Sequence, residues 1–564
     1  MSDSPGPCSF EPPIDLQTRT RTNPFETVTF STDLFRAVAL LCAAAPALVA
    51  QVAPSPRFLD VGSERERVLR VLQLTGDVPL YPWSLRGFSP GEIDRLGVTT
   101  ARGRALLPPE SAVRTLGALR FEVLPVEAGL IYNSTFPYGF NDGPVWAGRG
   151  LTGSLSGGVA GRIGPLSFQL EPMLFEAQNQ SFELKPNDAP GNPYLDGFYP
   201  GQIDLPQRFG DKAYGRFDLG QSSVRLDVGP LAAELSTADQ WWGPAIESPL
   251  ILGNNAPGFP HLALGTSHPV DIWIGQIHGR VVWGRLAQSS YSPDHGADSL
   301  RFMSGVVGVF VPRGVPGLEI GASRFFHTEW PANGLSHAPF GRPFEGILKK
   351  QLATTADPTG TSPDNQLASV FARWAFPQAG FEVYGEFGRE DHNIDLRDFW
   401  QELDHDAAYL FGLQRVWKRK NDAFVATRFE VLNTRLSHLD QGRGQAPWYT
   451  HDGSVAQGHT VLGQALAAAG GYGGGQASAA VDLYDSSGRW TFEWNRLTRS
   501  ESDLKGGTGL GIGADVLQSL TVERQRMVGS ISLFAAGSAA WDLNRDFAHD
   551  RFNLNVRTGV RSAF

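Results

Sequence analysis

Hydrophobic and polar residues alternate one by one in many short stretches after Leu119, and the clearest stretch closes the chain. One parity of residues 552–564 is mostly apolar with Phe552 and Phe564 at its ends, whereas the other carries Asn and Arg. Successive side chains of a strand point to opposite faces, so this pattern predicts a strand with one apolar and one polar face. An edge strand of a soluble sandwich explains the stretch equally well. The rest of the chain is therefore needed to distinguish a soluble protein from a membrane barrel.

The same alternation recurs at 166–174, 224–228, 318–323, 381–387 and 490–495. The polar parity of these stretches holds charges, which a wet lumen accepts and a dry core does not. Short turns at 164–165, 229–230, 314–317, 378–380, 420–422, 486–488 and 548–550 separate long polar segments at 179–212, 238–269, 328–366, 388–406, 436–474 and 499–514. Short turns at one rim, long loops at the other and a terminal aromatic residue are typical of an outer-membrane β-barrel. We therefore predict an all-β transmembrane protein, with a large antiparallel barrel of about 16 to 18 strands over 119–564.

Residues 51–118 have a helical pattern instead. Ser63 and Ser89 each begin an S-x-x-E capping box, and residues 105–118 allow a third short helix. We predict a small helical subdomain on the periplasmic side of the membrane.

The one marked apolar segment, 34–53, fits a signal peptide because it is short, rich in alanine and ends in small residues, so we expect residues 1–50 to be removed. The 33 residues before it suggest a start codon placed too far upstream. Cys8 and Cys42 both lie in the part expected to be removed, so the exported chain would have no disulfide and no thiolate metal site.

Charge and the absence of known motifs exclude several classes of function. A net charge of −10 without a basic stripe argues against nucleic acid as a partner. The carboxylates near His392 and His405 need only solvent to explain them, and the sequence has no H-E-x-x-H, EF-hand or G-x-S-x-G motif. We predict no catalytic residue, no metal and no cofactor.

A segment between two predicted strands points to a family. It reads Trp241-Trp242-Gly243-Pro244, then Leu250-Ile251-Leu252, then Asn254-Asn255-Ala256 and Phe259-Pro260. This segment resembles the signature of the Wzi-type capsule assembly proteins, and the weaker likeness extends over 57–564. The resemblance implies an 18-stranded barrel with a small N-terminal helical bundle and loops that fold inward to occlude the lumen. It also implies a lectin-like role, without catalysis, in attaching capsular polysaccharide to the cell surface.

Sugar faces stack on aromatic rings, and sugar hydroxyls bond to amides and carboxylates. The candidate glycan-binding residues by that criterion are Trp241, Trp242, Asn254, Asn255, His261, Trp330 and Trp448. The alternative for the tryptophan pair is that it packs an inward-folded loop against the lumen wall, and the asparagine pair could equally satisfy loop backbone. Trp330 and Trp448 lie in long polar loops, where we expect more exposure.

Three functions remain open at this point: a polysaccharide-binding surface barrel, a porin or substrate-specific channel, and an outer-membrane hydrolase. The partners of a polysaccharide-binding barrel would be capsular or extracellular polysaccharide, outer-membrane lipid and the barrel assembly machinery. We expect the helical subdomain in the periplasm and the long loops outside the cell.

Overall fold

One antiparallel sheet dominates the computed structural model, which describes residues 55–293, 300–352, 364–390, 393–420, 423–436, 446–451, 453, 455–499 and 514–564. The sheet has 24 segments. One of them, Arg114–Leu116, forms a hairpin with the strand that follows it, and five long strands are each broken in two. The described residues therefore form eighteen spanning strands.

The strands are β1 (Leu119–Val123 and Val126–Asn133), β2 (Gly150–Ser156 and Val159–Ile163), β3 (Leu166–Leu170 and Met173–Ala177), β4 (Tyr214–Asp218 and Ser223–Val228), β5 (Leu231–Ser236), β6 (His261–Thr266 and Val270–Ile272), β7 (Gly275–Ala287), β8 (Leu300–Pro312), β9 (Leu318–Glu329), β10 (Asp364–Phe376), β11 (Phe381–Glu390), β12 (Ala407–Lys418), β13 (Phe424–Asn433), β14 (Gly475–Asp485), β15 (Gly488–Arg499), β16 (Asp515–Val528), β17 (Ile531–Arg545) and β18 (His549–Ser562).

The sheet closes on itself because β18 pairs with β1, from Asn555 opposite Asn133 to Ser562 opposite Val126. Closure leaves no long unpaired strand edge, which is what a barrel in lipid requires. The predicted parity of the closing strand is confirmed: Phe552 is exposed on the outside, whereas Asn553 is fully buried on the inside.

The connections at the two rims differ in length. Those after the even-numbered strands, from β2 to β16, are short, whereas those after the odd-numbered strands are long except after β17. The prediction that the turn at 548–550 belongs to the short-turn rim is wrong, because strand direction alternates and puts the β17–β18 turn at the long-loop rim. The prediction of one long connection over 238–269 is also wrong, because β6 begins within it at His261.

Between residue 55, where the described chain starts, and the barrel lie three helices: α1 (Glu64–Thr75), α2 (Pro90–Arg95) and α3 (Ala101–Leu106). Ser89 and Glu92 form both bonds of a capping box, and the Ser63 hydroxyl caps α1. The third helix predicted over 105–118 is wrong: α3 ends at Leu106 just before two prolines, and 114–116 is a strand. Two further short helices, α4 (Lys349–Leu352) and α5 (Leu396–Gln401), and the 3₁₀ turns Leu335–His337 and Arg342–Phe344 lie in long connections. None of the helices in the described residues is long and apolar enough to span a membrane.

The part of the chain with α1, α2 and α3, which we call the helical segment, is inserted into the barrel at the short-turn end. Arg70 of α1 donates to Glu382 of β11 over 2.8 Å, and Arg373 of β10 bonds to the same carboxylate over 2.6 Å. The backbone N–H groups of Trp83 and Ser84 donate to Glu319 of β9. These buried charges are paired and hydrogen-bonded, as burial requires. The sequence predicted the helices, but only the structure shows that this segment lies inside the lumen.

Candidate functional site

The Trp241–Trp242 segment lies deep in the lumen, where it forms a short two-stranded sheet with Leu85–Arg86 of the helical segment. Both tryptophan rings are almost completely buried. Gly243 follows with φ of 94°, and a Cβ at this position would lie 2.4 Å from Oε2 of Glu386. Only glycine accepts both that backbone conformation and that contact. The tryptophan pair is therefore a packing element of an inward-folded loop, which is the alternative left open by the sequence.

A chain of hydrogen bonds links this loop to the wall. The Trp242 indole N–H donates to Gln240 Oε1 over 3.0 Å, and Gln240 Nε2 donates to His261 Nε2 over 2.8 Å. His261 Nδ1 then donates to the Phe259 carbonyl oxygen over 2.7 Å. Both ring nitrogens of His261 are thus used within the protein, and its side chain is buried.

A second series of hydrogen bonds holds the connection between β13 and β14 in place. Arg301 donates to His327 Nδ1, His327 Nε2 donates to His459 Nδ1 over 2.8 Å, and His459 Nε2 donates to the Ile251 carbonyl oxygen over 2.6 Å. Burial lowers the pKa of His459 to about 3, so its ring is neutral. The Tyr449 hydroxyl donates to the Leu250 carbonyl oxygen over 2.8 Å. Two inward-folded loops therefore brace each other across the lumen.

The asparagine pair satisfies loop backbone. Asn254 Nδ2 donates to the Asn141 carbonyl oxygen over 3.2 Å, and the Asn141 N–H donates to Asn255 Oδ1 over 3.2 Å. Asn255 Nδ2 also donates to the Ala465 carbonyl oxygen. These bonds join three connections at the long-loop end of the barrel.

The expected exposure of Trp448 is wrong. Its ring is 1% exposed, its indole N–H donates to the Asp406 carbonyl oxygen, and a Cβ added at Gly388 would lie 2.7 Å from the ring. Trp448 is buried because its loop folds into the lumen. Trp330 is half-buried, with its ring centroid 6.2 Å from that of Phe302 on the outer face of the barrel.

The structure contains a cleft at the long-loop rim, formed by two adjacent cavities of about 290 Å³ and 270 Å³. Phe136, Arg545 and Asp546 line both cavities, so the two cavities adjoin each other. Of the residues predicted from the sequence, Asn255 alone is in the cleft lining. The cleft is large enough for sugar units.

Aromatic side chains form much of the larger cavity. Its lining includes Phe136, Tyr138, Phe140, Trp146, Phe198 and Tyr472. The Tyr472 hydroxyl donates to both carboxylate oxygens of Asp196, at 2.8 and 2.6 Å, and burial raises the pKa of Asp196. Burial also raises the pKa of Asp142, which pairs with Arg557. Aromatic faces beside amides and carboxyls are the groups that recognise sugar rings and their hydroxyls.

The smaller cavity is cationic. Its lining holds Arg149, Lys185, Arg545 and Arg551 against the carboxylates of Glu183 and Asp546. The Arg545 guanidinium lies 4.4 Å from the Phe136 ring centroid, and Lys185 Nζ lies 4.5 Å from that of Phe198. Arg551 bonds to Glu183, and that hydrogen bond lowers the pKa of Glu183. This part of an acidic protein therefore favours anionic groups.

Sequence reasoning missed the connection between β1 and β2, which supplies four rings to the cleft: Phe136, Tyr138, Phe140 and Trp146. Four aromatic residues, with Asn141 and Asp142 among them, fall within eleven residues, and that density is the signal that could have identified it. Among the described residues, no group of three or more His, Cys, Asp or Glu could hold a metal ion.

A closed antiparallel barrel with apolar residues outside, a polar inner wall and a plugged lumen defines an outer-membrane β-barrel. The chain belongs to the Wzi family, since the family model described as capsule assembly protein Wzi matches residues 140–528. This confirms the resemblance drawn from the tryptophan and asparagine segments.

Comparison with the solved structure of one Wzi protein supports the fold. Wzi of Escherichia coli, described as a carbohydrate-binding outer-membrane β-barrel involved in group 1 capsule assembly, is 16% identical, with a TM-score of 0.60 over 90% of this chain and 99% of that chain. OccK5 of Pseudomonas aeruginosa is 10% identical over 78% of this chain and 98% of its own, with a TM-score of 0.37. OccAB2 of Acinetobacter baumannii is 9% identical over 78% and 97%, with a TM-score of 0.37. A search of curated proteins gave no match.

Proposed function

We propose that this protein binds capsular or extracellular polysaccharide at the cell surface and holds it there without catalysis. The observation that carries the proposal is the aromatic and cationic cleft at the long-loop rim, in a chain of the Wzi family. The similar Escherichia coli barrel is described as carbohydrate-binding, which supports the same conclusion. For this function the barrel is oriented with its long loops outside the cell and its helical segment towards the periplasm.

Binding of this kind is shallow and multivalent. Each stacked sugar contributes about 1 kcal/mol, so a single cleft binds weakly. Many barrels along one polymer then supply avidity without strong single sites.

The plugged lumen argues against a diffusion channel. The helical segment closes the short-turn end and the inward-folded loops close the other, with Trp241 and Trp242 between them. We expect purified protein in planar bilayers to conduct almost no current. Sustained single-channel conductance would instead support the porin hypothesis.

Deletion of the gene should leave polysaccharide export intact but lower the ratio of cell-bound to released polymer. Re-expression of the wild-type protein should restore that ratio. An unchanged ratio together with reduced small-solute uptake would refute the anchor function.

A further inference from the structure

Several side chains at the long-loop end of β8, β9 and β10 are buried although they point away from the lumen. Phe302, Phe326 and Gln366 are at most 4% exposed. Phe326 shares its face of β9 with Ile320, which is exposed on the outside of the barrel. Something other than the wall must cover these outward-facing residues.

The cover is the chain that follows β9. The Phe340 ring lies 5.4 Å from that of Phe302, and the Trp283 indole N–H donates to the Phe340 carbonyl oxygen over 3.0 Å. Arg324, also on the outward face, donates to the carbonyl oxygens of Pro343 and Glu345. Residues 330–352 therefore lie against the outer wall rather than above the lumen.

The connection after β11 joins this cover. The N–H groups of Lys349 and Lys350 donate to the carbonyl oxygens of Asn393 and Ile394, over 2.8 and 3.1 Å. Arg389 donates to two backbone carbonyl oxygens of the same connection, at 402 and 403. We call residues 330–352 and 393–403 together the collar.

The collar has a markedly apolar outer surface. Its large exposed apolar side chains include Leu335, Phe344, Ile347, Leu396 and Trp400, of which Phe344 and Trp400 are 68% exposed. A surface bathed in water rarely collects so many large apolar side chains. These residues have therefore to contact something apolar.

We propose that the collar binds the lipid layer around the barrel, with its apolar side chains in the boundary between headgroups and acyl chains. The collar is continuous with the lipid-facing wall. Phe340 packs edge-on against Trp283, with centroids 5.9 Å apart, so the collar begins where outward-facing aromatic residues of the wall end. The Phe387 and Tyr409 rings, 5.4 Å apart, continue the same aromatic level beside the second half of the collar. Tryptophan and other aromatic residues favour that boundary in membrane proteins.

The test uses single-cysteine reporters in the full chain with Cys8 and Cys42 replaced by serine. Phe344→Cys, Ile347→Cys and Trp400→Cys carry a bimane label, and the protein is reconstituted in phosphatidylcholine vesicles with brominated acyl chains. Val370→Cys, exposed in the middle of β10, is the lipid control, and Ala548→Cys, exposed in the β17–β18 turn, is the water control. Heat-modifiable migration confirms that each variant is folded.

We expect the three collar labels to lose fluorescence to brominated chains as strongly as the label at Val370, and to resist quenching by iodide. Collar labels that behave like the label at Ala548 would place the collar in water and overturn the proposal. Labels shielded from both quenchers, with shielding that falls on dilution of the protein in lipid, would assign the surface to a second copy of this chain and also overturn it. The vesicles contain no polysaccharide, so the outcome is independent of polysaccharide binding.

Discussion

The Arg86 guanidinium stacks on the Trp241 ring, with its central carbon 3.8 Å from the ring centroid. Arg86 belongs to the helical segment at the short-turn end, and Trp241 to a loop that enters from the long-loop rim. The same guanidinium donates to the Ala245 carbonyl oxygen over 2.9 Å. The helical segment and the inward-folded loop therefore meet within the lumen, where a buried cation–π contact joins them.

Replacing Trp241 should harm folding before function. Trp241→Ala removes a buried ring and the stacking surface of Arg86, which should cost about 3–5 kcal/mol of unfolding free energy. Trp330→Ala, at a half-buried position on the outer wall, should cost less. Denaturant unfolding of the two purified variants in detergent measures the difference. Equal stability of the two variants would mean that the plug is not tightly packed.

Gly243→Ala should destabilise the barrel for two reasons. The residue has a positive φ, and the new methyl group would contact the Glu386 carboxylate. Shortening the partner in the double variant Gly243→Ala/Glu386→Ala should recover part of the loss, since the contact disappears while the backbone strain remains. Urea midpoints of the wild type, both single variants and the double variant complete the cycle. Strict additivity would exclude the contact.

Charge reversal in the cleft should weaken polysaccharide retention without changing barrel abundance. Arg149→Glu and Lys185→Glu each place a carboxylate in the cationic cavity, where an anionic or hydroxyl-rich polymer would bind. Lys212→Glu is the matched control, because Lys212 is exposed in the connection that contains Lys185 but does not line the cleft. The assay is the ratio of cell-bound to released polymer. A loss as large in Lys212→Glu would point to net charge instead of the cleft.

Stability should depend on pH through Asp239. Burial raises the pKa of Asp239 to about 7, so the folded protein favours the protonated carboxyl. Its contribution to stability is full below the unfolded pKa near 3.8 and is lost as pH rises towards 7. Asp239→Asn should flatten this part of the stability profile, measured by denaturant midpoints from pH 4 to pH 8. An unchanged slope in the variant would show that Asp239 is not the group responsible.

The proposed orientation has a direct test in whole cells. Cysteine at Lys212 or Ala548, both exposed at the long-loop rim, should react with a maleimide that cannot cross the outer membrane. Cysteine at Asp94, exposed in α2, should react only after the membrane is permeabilised. The opposite labelling pattern would reverse the barrel.

Local pattern was sufficient for much of the fold. The alternation of Trp490, Phe492 and their neighbours depends only on the twofold repeat of a strand, so the outward and inward faces of β15 could be predicted. The S-x-x-E patterns at Ser63 and Ser89 are likewise local, and both helices begin where predicted, although Ser89 alone of the two forms the complete capping box. The Trp241 segment was sufficient to identify the family.

Tertiary structure decided where the chain between the elements goes. Whether an aromatic loop residue is exposed or buried depends on the direction of its loop, which short-range pattern does not encode. Trp448 folds into the lumen, Phe340 folds over the outer wall, and Phe136 lines the cleft, yet all three lie in long connections. The cleft joins the connection after β1 to residues of β17 and β18 that lie hundreds of positions later in the sequence, because closure of the barrel brings the first and last strands together. The sequence by itself thus determined most strands, the starts of α1 and α2, and the family, whereas long-range packing decided the plug, the collar and the cleft.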